Sequence, residues 1–174
     1  PVLIHTHFHK RKPGITRSIE NVFPYFSKSF ESYIYGNTAI GKKITTAKLR
    51  AILFSKKKVI VHCHRNNEIL RMLFWRFFGA KFTLIATRHA ESKPSNFTLY
   101  LLKKADKVIT LVKSMSKKLE VENIIIGHGV NTNQFKPKDN SVIEKVSQKN
   151  IILYEHYSFS SFRGFNIHLL SFQI

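Results

Sequence analysis

The chain has 174 residues, of which 43% are hydrophobic, enough for a domain with a buried core and too apolar for a chain that stays disordered. Lysine and arginine number 29 against 10 acidic residues, a formal net charge of +19, and such a field favours nucleic acid, sugar nucleotides or lipid phosphates as partners. The single cysteine, Cys63, excludes an internal disulfide and a cysteine-built zinc site and points to a reducing compartment, and no apolar run reaches the roughly 20 residues of a membrane span.

Strand-like and helix-like segments alternate along the chain. Residues 2–8 form a short apolar run, followed by the loop Lys10, Arg11, Lys12, Pro13 and Gly14. A helix starts at residues 16–20 and is expected to stop near Pro24, which lacks the N–H that a helix interior uses. Residues 32–35 read as a strand ended by Gly36, and 45–55 as a short helix. The stretch KVIVHCH at 58–64 is strongly strand-like, and 66–78 reads as a helix with Gly79 behind it. A strand at 82–87, a helix at 95–104, a strand at 107–112, a short helix at 114–119 and a strand at 123–126 complete the pattern. This alternation predicts an α/β fold, a Rossmann-like doubly wound parallel sheet with helices on both faces. The near-continuous apolar strands fit a sheet covered on both sides. The helix at 66–78 puts Leu70, Leu73, Phe74, Phe77 and Phe78 on one side, a stripe that core packing explains. Trp75, Phe78, Arg71 and Arg76 are the residues it offers to a membrane surface.

In an open parallel sheet, ligands bind beyond the carboxyl ends of the strands. That rule nominates residues 7–14, 62–67, 87–91 and 127–131, all richer in polar groups than a turn requires. The first stretch sets Lys10 and Arg11 beside Gly14 and the start of a helix bearing Thr16 and Arg17. Glycine admits a close backbone approach, and free helix N–H groups favour an anion; a basic solvated turn capped by Thr16 is the plainer alternative. His5, His7 and His9 alternate and so share one face of a strand, as do His62 and His64. No carboxylate or thiolate stands at ligand spacing to them, and no metal is expected. His64, Arg65, Asn66, Asn67 and Glu68 follow a buried strand directly. Asn66 or Asn67 can cap the next helix, and the others read as hydroxyl-recognition groups. Thr87, Arg88 and His89 place a cation and an imidazole at another strand end.

Two longer stretches, ADKVITLVKSM at 105–115 and IGHGVNTNQFKP at 126–137, carry a family resemblance. With the opening His-x-His, the run Gly14, Ile15, Thr16, Arg17, Ser18, and the strand end at Thr87, Arg88, His89 and Ala90, the chain resembles family-four glycosyltransferases of the GT-B fold. More narrowly it is similar to the lipopolysaccharide-core mannosyltransferases of that family, over residues 1–150.

The resemblance implies that residues 1–138 are an acceptor-side domain, the N-terminal half of a GT-B fold. Residues 139–174 would be a linker and an aberrant stub of the donor-binding domain, so the chain is expected to be a truncated copy, inactive alone. It implies transfer of a sugar, mannose, with retention, from a nucleotide-sugar donor such as GDP-mannose to a lipopolysaccharide-core or other lipid-linked acceptor, with no metal or other cofactor. His89 takes the catalytic position, as a group that steadies the transition state. Gly14, Thr16 and Arg17 form the donor-phosphate and acceptor loop, and His7, Lys10, Arg11, His64, Arg65, Asn66, Asn67 and Arg88 are expected to bind the acceptor. His128 stands where the family has Asn. The expected location is the cytoplasm, at the inner face of the cytoplasmic membrane, with peripheral contact to anionic lipid. Two other classes compete: an inactive remnant that binds anionic membrane or a partner subunit, and a basic nucleic-acid-binding protein. The second shows no RRM, KH or helix-turn-helix pattern, and nucleic acid is not an expected partner.

Overall fold

A computed structural model describes residues 1–8, 14–37 and 41–127. Lys10, Arg11 and His128, most of the 126–137 motif and the expected domain boundary at 138 lie outside the described residues. Within them the chain runs β1 (Val2–His7), α1 (Gly14–Ser29), β2 (Glu31–Gly36), α2 (Thr46–Leu53), β3 (Val59–Cys63), α3 (Asn66–Phe77), β4 (Thr83–Arg88), α4 (Asn96–Lys103), β5 (Lys107–Thr110), α5 (Lys113–Lys117) and β6 (Ile124–Ile125). The strands form one sheet in the order β2-β1-β3-β4-β5-β6, and every pairing is parallel. The expected α/β architecture is therefore present, with β3 held between β1 and β4 and not at an edge.

The direction of winding sorts the helices. The path from β1 to β2 steps one way along the sheet, and every later step goes the other way. Crossovers between parallel strands are right-handed, so α1 lands on one face and α2, α3 and α4 on the opposite face. The packing agrees. Ile19 and Phe23 of α1 close on Ile34 of β2 in a small cluster. Leu49, Leu53, Ile69, Met72, Leu101 and Leu102 of α2 to α4 join Val2, Ile4, Val61, Cys63 and Leu84 in the main core. Side-chain hydroxyls start two of these helices. Thr45 Oγ1 accepts the N–H of Lys48, and Ser95 Oγ accepts that of Thr98.

Two expectations are corrected. Helix α1 continues through Pro24 to Ser29. Pro24 lies on the exposed side, where water can serve the carbonyl left without an N–H partner, while burial of Ile19 and Phe23 holds the helix to the sheet. In α3, most of the stripe read as core faces outward: Leu70, Phe74, Phe77 and Phe78 are exposed, Phe77 by 84%, while Leu73 packs against the core and Ile69 and Met72 are buried. The apolar residues of α3 nearly encircle the helix, so periodicity alone does not select the inner face.

Candidate functional site

Strand β1 is buried along its whole length, although its second half reads His5, Thr6, His7. The three polar side chains are fully buried, and alternation splits them between the faces. Thr6 points to the α3 side. Its hydroxyl donates to Glu68 Oε2 at 3.0 Å, and the same carboxylate oxygen accepts the backbone N–H of His64 at 2.7 Å. Glu68 thereby ties the carboxyl ends of β1 and β3 to the first turn of α3. Burial raises its pKa above the ordinary glutamate value, against the lowering effect of those hydrogen bonds.

The α1 side carries a column of imidazoles. His5 lies 5.2 Å from His62 and 6.3 Å from His64 between ring centroids, and His62 and His64 are 4.3 Å apart. His64 Nδ1 shares a 3.0 Å hydrogen bond with His89 Nε2, and His62 Nε2 shares one of 2.7 Å with Thr87 Oγ1. His7 Nε2 and Thr16 Oγ1 are 2.8 Å apart, which joins the end of β1 to the first turn of α1. Burial lowers the pKa of His5 to about 4 and those of His62 and His64 well below the ordinary value, with neighbouring imidazoles adding to the effect on the last two. The three rings are neutral at physiological pH.

The residues nominated from sequence fall into distinct places. His64 and His89 meet directly, and those among the described residues lie at the carboxyl ends of parallel strands or at the helix starts that follow. Gly14 is exposed at the start of α1, where a methyl group added to it would meet nothing within 4 Å. Arg17 is exposed on the same helix. His7 and Thr16 are buried against each other. Asn66 does not cap α3 as expected. The cap position is Arg65, which makes no side-chain cap bond, and Asn66 Nδ2 donates instead to Thr98 Oγ1 at 2.8 Å, bridging α3 to α4. Asn67 is exposed and Arg65 partly buried. Strand alternation puts Arg88 on the face opposite Thr87, where its guanidinium donates to the carbonyl of Ser92. Glu68, read from sequence as a hydroxyl-recognition group, is instead fully buried and fixes this edge; Thr6, and Thr87 beyond its place at a strand end, were not singled out as site residues. Thr6 and Thr87 are short polar residues inside apolar runs, the one available signal.

No family model matches the chain, and no solved structure matches it. A comparison with curated proteins finds similarity to a lipopolysaccharide core biosynthesis mannosyltransferase from Rhizobium meliloti (strain 1021), 22% identical over 142 residues. The match takes in 78% of this chain and 40% of the relative, so the chain spans less than half the length of the protein it resembles.

Proposed function

We propose that this chain forms the acceptor-side half of a GT-B glycosyltransferase that moves mannose from a nucleotide-sugar donor to a lipopolysaccharide-core or similar lipid-linked saccharide. The observation that carries the reading is the likeness to a mannosyltransferase over most of the chain, laid on a parallel sheet whose carboxyl edge gathers His64, His89 and the start of α1. In this reading His89 is the catalytic group. It lies at the end of β4 with its ring held by His64, so its position is set before substrate arrives, and a preset dipole near the developing charge lowers the barrier most. In this reading Gly14, exposed at the start of α1, and the exposed Arg17 belong to the phosphate-approach loop. Arg65, Asn67 and Asn66 face the acceptor from the start of α3. A second domain would supply the other wall of the cleft and the grip on the donor phosphates, and the chain alone is expected to bind acceptor without turning over donor.

The outward aromatic face of α3, with Leu70, Phe74, Phe77 and Phe78, favours a peripheral seat on an anionic membrane, which would present a lipid-linked acceptor to this edge. The test is binding of deacylated, phosphorylated core oligosaccharide to the chain, followed by calorimetry. Saturable binding that Arg65→Ala weakens about tenfold, the loss of one charge-assisted contact, supports the reading. Equal binding of an unrelated neutral oligosaccharide, or none of the core sugar, would overturn it.

A further inference from the structure

His5 poses a problem that the transferase reading leaves unsolved. It is fully buried, and among the described residues neither of its ring nitrogens has a hydrogen-bond partner. A leucine or phenylalanine would fill such a place without desolvating polar atoms, so an orphaned imidazole calls for a partner of another kind. The Nε2 atom of His64 is likewise buried without a partner. One ring nitrogen from each of His5, His62 and His64 lies within 4.8 Å of the other two.

We propose that His5, His62 and His64 form a three-histidine binding site for a divalent transition metal of the zinc class. Zinc holds imidazole nitrogens at about 2.0–2.1 Å, so neighbouring nitrogens around it stand about 3.4 Å apart. In the closest set of nitrogens no pair stands more than about 1.4 Å beyond that separation, and His5, whose ring nitrogens have no hydrogen-bond partner among the described residues, has no such bond to break in turning toward the others. The outer bonds sort the ligand atoms. Thr87 occupies Nε2 of His62 and leaves Nδ1 as the ligand; His89 occupies Nδ1 of His64 and leaves Nε2. Metal-bound histidines use their second nitrogen in this way, which fixes tautomer and ring orientation. Neutral rings suit the role, because a protonated imidazole cannot bind a metal. The absence of carboxylate or thiolate at ligand spacing is no obstacle, since three imidazoles complete a protein ligand set that keeps a fourth position for water or a substrate oxygen. The site does not depend on the transferase reading. It lies one hydrogen bond from His89, so occupancy would also lock the ring that His89 leans on.

Titration of the whole chain with Co²⁺ tests this. One equivalent is expected to bind, with visible bands of a tetrahedral nitrogen-rich site, and Zn²⁺ should displace it. His5→Leu preserves apolar packing, and with its fold checked by circular dichroism it should lose that binding by more than about a hundredfold. Thr87→Val, which removes only an outer bond, should weaken binding about 10–100-fold. Nitrogen-15 spectra of the unsubstituted chain give a readout free of any variant: Zn²⁺ should shift Nδ1 of His62 and Nε2 of His64. Retention of full Co²⁺ affinity in His5→Leu, octahedral surface-type binding only, or shifts confined to other histidines would overturn the proposal.

Discussion

Protonating His5, His62 or His64 places a charge among buried rings, and the fold resists it. In the unfolded chain these histidines take up protons near pH 6.5; in the folded chain His5 waits until about pH 4. The unfolded state therefore binds more protons between those values, and stability falls as pH falls through that window. His5 alone accounts for about 3 kcal/mol by the bottom of it, and His62 and His64 act in the same direction. Glu68, whose pKa is raised, works oppositely: its protonated form is favoured in the fold, but its window opens only above the ordinary glutamate value, and it partly offsets the histidines there. A urea midpoint that drops steadily from pH 7 to pH 5 is the expected result. A second residue-scale prediction concerns His89. Once a donor-side domain is joined to the chain, the proposed role of His89, a contact strongest in the transition state, predicts that His89→Ala lowers turnover far more than it weakens acceptor binding. Arg65→Ala should chiefly raise the acceptor KM. The histidine alternation on both strands was legible in sequence as shared faces. That the two faces coincide was not, because it depends on β1 and β3 being neighbours in register, His5 beside His62.

Elements were read from pattern, and pattern fails where tertiary contact chooses. The strands were legible because their apolar runs have no other use, and the ends of α2 and α4 because Thr45 and Ser95 announce them. Helix α3 was legible as a helix but not in its facing, since Leu70, Phe74, Phe77 and Phe78 are as apolar as Ile69 and Met72. Replacing Phe77 and Phe78 by Asp should leave the urea midpoint nearly unchanged, because both are exposed, and should release the chain from anionic liposomes in a sedimentation assay if the outward face seats on lipid. Two of the glycines at the carboxyl edge differ sharply. Gly36 has φ +136° and a side-chain carbon there would stand 1.9 Å from the carbonyl oxygen of His7. Gly36→Ala should cost at least about 2 kcal/mol of stability and disturb the neighbouring strand end. Gly14→Ala meets nothing, so it should be neutral or stabilising by up to about 1 kcal/mol. A loss of phosphate-dependent acceptor binding in Gly14→Ala would then report on the ligand and not on the fold.

At the scale of the whole molecule, the parallel sheet with helices on both faces followed from the alternation of strand-like and helix-like segments, but its strand order did not. The site followed only as an edge, a set of strand ends, because which ends lie side by side is a property of strand order. Strand order also puts Cys63 in the main core, fully buried, with burial raising the pKa of its thiol. A thiol in that state does not attack an alkylating reagent. The sheet must come apart before Cys63 can react, so the rate at which the chain takes up one label is a clock for its opening. That clock needs no engineered probe and no activity. Divided by the rate of an exposed cysteine, whose reactive thiolate becomes about tenfold scarcer per pH unit below its pKa, it should run faster as pH falls from 7 to 5, and at fixed pH Zn²⁺ should slow it in the unsubstituted chain but not in His5→Leu.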